Sequence, residues 1–143
     1  MGKQSVYDDL EPKIHHRIAE AVADAVPVLD IACGDGRLTG LIATGFGCKT
    51  YGVDISVSHL AEAREKAEAR GISHLVLLAA GDAQKLCFLD ESFGSLIMLY
   101  SLHEIQRLHQ ALKEARRVLR PGGDRVYVDT CRIQRADFRL PVR

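Results

Sequence analysis

Val28-Leu29-Asp30-Ile31-Ala32-Cys33-Gly34-Asp35-Gly36-Arg37 reads as a short apolar strand that runs into a loop with two glycines and then into a helix. In a doubly wound sheet, glycines just past the first strand let the backbone turn tightly and come close to a ligand. The ligand's polar groups then meet the N-terminus of the helix that follows. A nucleotide-like ligand is implied. Upstream, Ile14, Ile18, Val22 and Ala25 recur at helical spacing and Pro27 stops the pattern, so an amphipathic helix leads into this strand.

Downstream, short runs rich in apolar or β-branched residues lie at 49–53, 75–80, 96–100 and 125–129, and with 28–32 they make five predicted strands. Helices are predicted over 37–44, over 57–70 with Glu62 and Lys66 paired one turn apart, and over about 105–119. The connection 81–94 is the least regular. Gly45, Gly47 and Gly71 stand where helices should end, and Pro121-Gly122-Gly123 reads as a sharp stop before the fifth strand. Strict alternation of helix with strands that are apolar runs points to a parallel sheet covered on both faces. The predicted fold class is α/β: a three-layer αβα, doubly wound and mostly parallel sheet of about five strands with right-handed crossovers.

The chain of 143 residues is the size of one domain, read as a single unit over 1–143, with a leading helix over 1–26, a core over 27–130 and a tail over 131–143. Lysine plus arginine equals aspartate plus glutamate at 19 each, so no global field draws the chain to nucleic acid or an anionic membrane, and a small partner fits better. No apolar run approaches the roughly 20 residues that span a bilayer, and the first residues carry no signal-peptide stretch. A cytoplasmic location is expected. Cys33, Cys48, Cys87 and Cys131 are widely spaced and have no histidine at a zinc-ligand interval. They are expected to be small buried apolar residues, with no metal bound.

Asp54 closes the second predicted strand, where a carboxylate can accept hydrogen bonds from both hydroxyls of a ribose. That also fits a nicotinamide dinucleotide. The dinucleotide fingerprint G-x-G-x-x-G, however, has Thr39 at its third glycine, with Gly40 one position late, which weakens that reading.

Taken in order, Val28 to Arg37, Gly52 to Ile55, Gly81-Asp82-Ala83 and Arg117-Val118-Leu119-Arg120-Pro121-Gly122-Gly123 resemble successive motifs of class I S-adenosylmethionine (SAM)-dependent methyltransferases. The resemblance spans roughly Val26 to Asp129. It implies strand order 3-2-1-4-5, SAM as cofactor and S-adenosylhomocysteine as product. It further implies that Asp30 holds the methionine ammonium and that the loop at Ala32, Cys33, Gly34 and Gly36 lies against methionine and ribose. Asp54 would take the ribose diol, Ile55 would pack on the adenine, Asp82 would accept from the adenine amine and the Ala83 N–H would donate to a ring nitrogen. The bland alternative at each aspartate is a cap or turn, and Asp35 is read that way. The chain departs from the family at Ala32, where a glycine is common, and at Gly94, where an aspartate often follows the aromatic. It also ends soon after the fifth strand, where the family continues into a β-hairpin.

SAM carries its own activation, so the protein of such a family mainly aligns the reactants. Where a general base is needed, the natural place is beyond the fourth strand, in Tyr100-Ser101-Leu102-His103-Glu104. His103 is the candidate catalytic base and Tyr100 the candidate to line the methyl channel, against the plainer readings of cap and core. His15, His16, His59, His74 and His109 are assigned no chemistry. The function implied is SAM-dependent methylation of an unidentified, small-molecule acceptor. The alternative is a truncated methyltransferase-like subunit that binds SAM or serves as a scaffold without independent activity. With no hairpin to cover it, the strand at 125–129 would be an edge, and a homodimer through that edge or the adjacent tail is expected, the alternative being a monomer whose tail over 131–143 folds back as cover.

Overall fold

Val28 lies opposite Thr50 on one side and Ser95 on the other, so the first strand sits in the middle of the sheet. The computed structural model describes residues 6–22, 24–99 and 104–128. Within them the chain runs α1 (Val6–Val22), β1 (Val28–Ile31), α2 (Arg37–Phe46), β2 (Thr50–Asp54), α3 (Val57–Ala69), β3 (Val76–Ala80), β4 (Phe93–Leu99), α4 (Leu108–Val118) and β5 (Leu119–Val128). Among the described residues the sheet has five strands in the order β3-β2-β1-β4-β5, and every neighbouring pair is parallel. That is the predicted α/β fold and the strand order implied by the resemblance.

The period of two along β1 decides what each face of the sheet meets. Val28 packs with Ile18, Ala19 and Val22 of α1 and with Leu38 and Ile42 of α2, while α2 and α3 share Ala43 and Ala67 with Ile72 and Val76. Leu29 and Ile31 face the other way, into a cluster with Phe93, Leu96, Met98 and the α4 residues Ala115 and Val118. Tyr51, Phe88 and Phe93 meet edge to face there, with ring centroids 4.9–6.1 Å apart. Helices thus cover both faces.

Several boundaries move. The left-handed turn at Ala32 ends β1 one residue earlier than its apolar run, and α2 runs through Gly45 to a cap at Gly47, whose N–H bonds Ala43 O at 3.0 Å. β4 begins at Phe93 instead of Leu96, because Gly94 and Ser95 lie beside Pro27, whose carbonyl accepts from both at 3.0 and 3.4 Å. A Cβ on Gly94 would lie 2.6 Å from the Ala25 backbone, so the departure from the family at this position is a close approach of two segments of the chain. Pro121-Gly122-Gly123 does not stop the chain before β5. Phe93 pairs with Leu119 and Ser95 with Asp124, so the Pro-Gly-Gly segment bulges inside the strand. Ile105 lies ahead of α4, not within it, and packs on the core. Cys33 and Cys48 are half-buried, but Cys87 is exposed, against the expectation that it is a buried apolar filler.

Candidate functional site

Parallel strands deliver their carboxyl ends to one side, and the crevice opens there because the chain leaves β1 toward β2 on one flank and β4 on the other. Ala32, Gly34 and Gly36 all take positive φ, at 57°, 57° and 76°, which curls the loop after β1 over the ends of its neighbours. The Cys33 N–H bonds Val53 O at 3.0 Å and fastens the loop to β2. Ala32 is the exceptional member, since a side chain in the left-handed region carries a cost that glycine does not. Its difference from the usual glycine is therefore conformational and not a matter of size.

Asp54, 8% exposed, is the hub of the crevice. Its Oδ2 accepts the Gly34 N–H and its Oδ1 accepts the Ser56 N–H, each at 2.8 Å. The carboxylate is thus already bonded by the protein. Each oxygen retains capacity for one further donor. His59 Nδ1 lies 3.8 Å from Oδ1.

A hollow of about 340 Å³ opens over this hub, lined by Ala32, Gly34, Asp54, Ile55, His59, Asp82, Ala83 and Gln84, with Leu99, Glu104 and Ile105 beyond. Ile55 is 76% exposed, so one face is open for a flat group to pack on it. Asp82 uses Oδ1 to accept both the backbone and the side-chain N–H of Gln84, at 2.8 and 3.3 Å, and the Lys85 N–H closes the turn on Asp82 O at 3.0 Å. Among the described residues Oδ2 accepts no hydrogen bond. A Cβ on Gly34 would meet nothing within 4 Å, so the backbone there borders open space.

A second hollow of about 300 Å³ adjoins the first, with Ala32 and Leu99 common to both, and is lined by His15, Asp30, Cys33, Asp35 and Arg37. Asp30 is 2% exposed and accepts the Thr39 hydroxyl at 2.8 Å. Burial, with repulsion from Asp54, outweighs the Thr39 hydrogen bond and pushes its carboxyl up to about 7. Burial, then Asp30 and Asp54, push the Cys33 thiol up as well, so it stays a neutral wall group at pH 7.

The crevice gathers most of the residues singled out from the sequence. Asp54, Ile55, Asp82, Ala83 and Gly34 line the larger hollow, Asp30 and Cys33 the smaller, and Ala32 both. Gly36 lines neither. It is the left-handed N-cap of α2, and a Cβ there would lie 2.8 Å from Ala63 Cβ, so it faces α3. Asp35 caps the turn by accepting the Arg37 N–H at 3.3 Å, and it also pairs with Lys66, which reaches across to the loop instead of to Glu62. Tyr100 and His103 lie outside the described residues. His15 and His59, assigned no chemistry from the sequence, also border the crevice. His15 falls on the buried stripe with Ile18 and Val22, a spacing visible in the sequence, and His59 follows Asp54 into the first turn of α3, where side chains must border the crevice.

Residues 28–123 match the family model described as a methyltransferase domain. The chain belongs to the class I SAM-dependent methyltransferase family. It is 38% identical over 118 residues to the sterol 4-C-methyltransferase of Caenorhabditis elegans, covering 81% of this chain and 35% of that protein. It is 38% identical over 130 residues to a ubiquinone/menaquinone biosynthesis C-methyltransferase of Paracoccus denitrificans, covering 85% and 52%. Among solved structures it resembles the PH0226 protein of Pyrococcus horikoshii, with TM-score 0.76 and 33% identity over 87% of this chain and 59% of that one. It also resembles the [4+2]-cyclase SpnF, with TM-score 0.79 and 29% identity over 84% and 45%. The chain spans between about a third and a half of the length of these curated relatives.

Proposed function

We propose that the chain binds SAM across the two hollows and serves methyl transfer to a lipophilic small molecule. The observation that carries this is the grouping of Gly34, Asp54 and Asp82 around one hollow with Asp30 in the next. The residues fit the ligand. Asp54 has one acceptor site left on each oxygen for the ribose diol, and Ile55 offers an open apolar face to the adenine. Oδ2 of Asp82 and the N–H of Ala83 would read the edge of the base. Asp30, once ionised, would hold the methionine ammonium, and the bare backbone at Gly34 leaves room for the chain between ribose and sulfur.

Bound SAM supplies an electrophilic methyl group on its sulfonium; the chain's own part is to bind, orient and exclude water. Tyr100 and His103 follow β4 in sequence and are our candidates for the acceptor side, His103 as a base where the acceptor carries a proton to be lost. The acceptor class rests on the relatives, whose names specify sterol and quinone C-methylation. One observation favours a second reading, a module that binds SAM without transferring a methyl group: the neighbour named as a cyclase has this fold under a different activity.

The test is incubation with methyl-labelled SAM and a panel of sterols and demethylated quinones, beside thermal melts with SAM, NAD and ATP. Label in the lipid extract and a melting shift with SAM alone support the proposal. A shift without label supports the second reading, and no shift with millimolar SAM removes both.

A further inference from the structure

The connection 81–92, which begins at the crevice with Gly81, Asp82 and Ala83, has no helix or strand of its own beyond one bridge between Asp82 and Lys85. Several of its backbone groups are instead bonded by α4. Arg117 grips Glu114 with Nε to Oε1 at 2.8 Å and Nη2 to Oε2 at 2.9 Å, a bidentate pair. The same guanidinium donates to Leu86 O at 3.1 Å, to Phe88 O at 2.8 Å and to Asp90 Oδ1 at 2.9 Å. Glu114 Oε2 in turn accepts the Leu86 N–H at 2.8 Å, and the Glu91 N–H bonds Arg117 O at 2.9 Å. Leu86 is thereby held at both its N–H and its carbonyl while its side chain is buried in the core. It directly follows the turn closed between Lys85 N and Asp82 O, and Gln110 adds a 3.4 Å contact to Gln84 O.

We infer that Glu114 and Arg117 are positioning residues for base recognition: they fix Leu86, and through the short turn behind it they fix the Asp82 carboxylate at the edge of the larger hollow. The inference rests on the proposed SAM reading. Neither side chain lines the crevice, so any effect on ligand choice must travel through the turn. A guanidinium is required because only a planar fork can serve Glu114 and the Leu86 and Phe88 carbonyls at once. Lysine would satisfy a fraction of these.

The test compares S-adenosylhomocysteine with S-inosylhomocysteine, in which a carbonyl replaces the adenine amine that Asp82 would accept from. The wild-type chain should prefer the adenine ligand by about 10–100-fold, as expected for a lost hydrogen bond to a charged group. Arg117→Met should cut that preference about tenfold, and Arg117→Lys should restore part of it. Glu114→Gln, which keeps the shape and an acceptor, provides a second, milder variant should Arg117→Met fold poorly. Ile72→Ala, a truncation in the cluster between α2 and α3, should lower the melting temperature and leave the preference intact. If the folded Arg117 and Glu114 variants melt earlier but keep the wild-type preference, the pair is structural only and the inference is overturned. A wild-type chain that binds neither ligand overturns the SAM reading and this inference with it.

Discussion

Asp54 Oδ2 accepts the Gly34 N–H at 2.8 Å, so the loop after β1 is tied to the end of β2 by the same carboxylate that would hold a ribose. On the proposed SAM reading, binding and folding would be coupled at this carboxylate. The ligand would meet a loop already placed for it, which lowers the ordering cost of association.

Asp54→Ala should therefore weaken SAM binding by about one to two orders of magnitude, in line with about 1.5–3 kcal/mol for hydrogen bonds to a charged group. It should also cost about 1–3 kcal/mol of stability, because the Gly34 and Ser56 N–H groups lose their acceptor. Asp54→Asn keeps one acceptor oxygen and should fall between. Denaturant melts beside calorimetric titration separate the two effects.

Asp30 predicts a pH dependence. Its folded carboxyl titrates at about 7 against an ordinary 3.8, so between these values the native state holds a proton that the unfolded chain has released. Its contribution to stability is full below pH 3.8 and is lost as pH rises through about 7. Asp30→Asn should flatten that slope in melts from pH 4 to 8. SAM affinity should run the opposite way in the wild type, rising toward pH 8 with proton release on binding, because the ammonium requires the ionised form. His15, Asp35 and Arg37 border the same hollow and Asp54 stands near, so the Asn variant is the control that isolates Asp30.

Two loop positions with the same φ should respond differently. Ala32→Gly relieves a left-handed alanine, which costs about 1–2 kcal/mol, and adds unfolded-state entropy worth about 0.4–1 kcal/mol, for a small net gain in stability. Gly34→Ala imposes the left-handed cost and places a methyl in the open space beside the crevice. Stability should fall by about 1 kcal/mol, the left-handed cost of about 1–2 kcal/mol being partly offset by about 0.4–1 kcal/mol of lost unfolded-state entropy, while SAM binding falls by far more than the Ala32 change moves it. Melting curves and titrations on both variants check the contrast.

The sheet was legible in the sequence because its strands are apolar runs broken by Pro and Gly, and the crevice because acidic residues recur at strand ends. What sequence patterns could not supply were contacts across the sheet. The tie from Asp54 to Gly34, the reach of Lys66 to Asp35 and the grip of Arg117 on Leu86, Phe88 and Asp90 each join residues far apart in the chain. Periodicity does not see them. The burial of Asp30 was hidden for a related reason: a carboxylate in an apolar strand reads as a strand end, yet its alternation with Leu29 and Ile31 turns it toward α2 and Thr39. Pro121-Gly122-Gly123 misled because a local breaker can also be accommodated as a bulge.

β5 is an edge of the sheet among the described residues. The two-fold pairing expected through its Arg125-Val126-Tyr127-Val128 segment predicts a dimer mass by light scattering at micromolar concentration, and Val128→Lys should shift it to monomer. A wild-type monomer, with the lysine variant equally soluble and stable, would rule that pairing out.

The most direct test is calorimetric titration of the wild-type chain with S-adenosylhomocysteine at pH 8. One ligand should bind per chain, with a melting shift of matching size, since binding to the native state alone stabilises by about 2.7 kcal/mol at a hundredfold excess over the dissociation constant. No heat and no shift at millimolar ligand would contradict the assignment of this crevice to SAM.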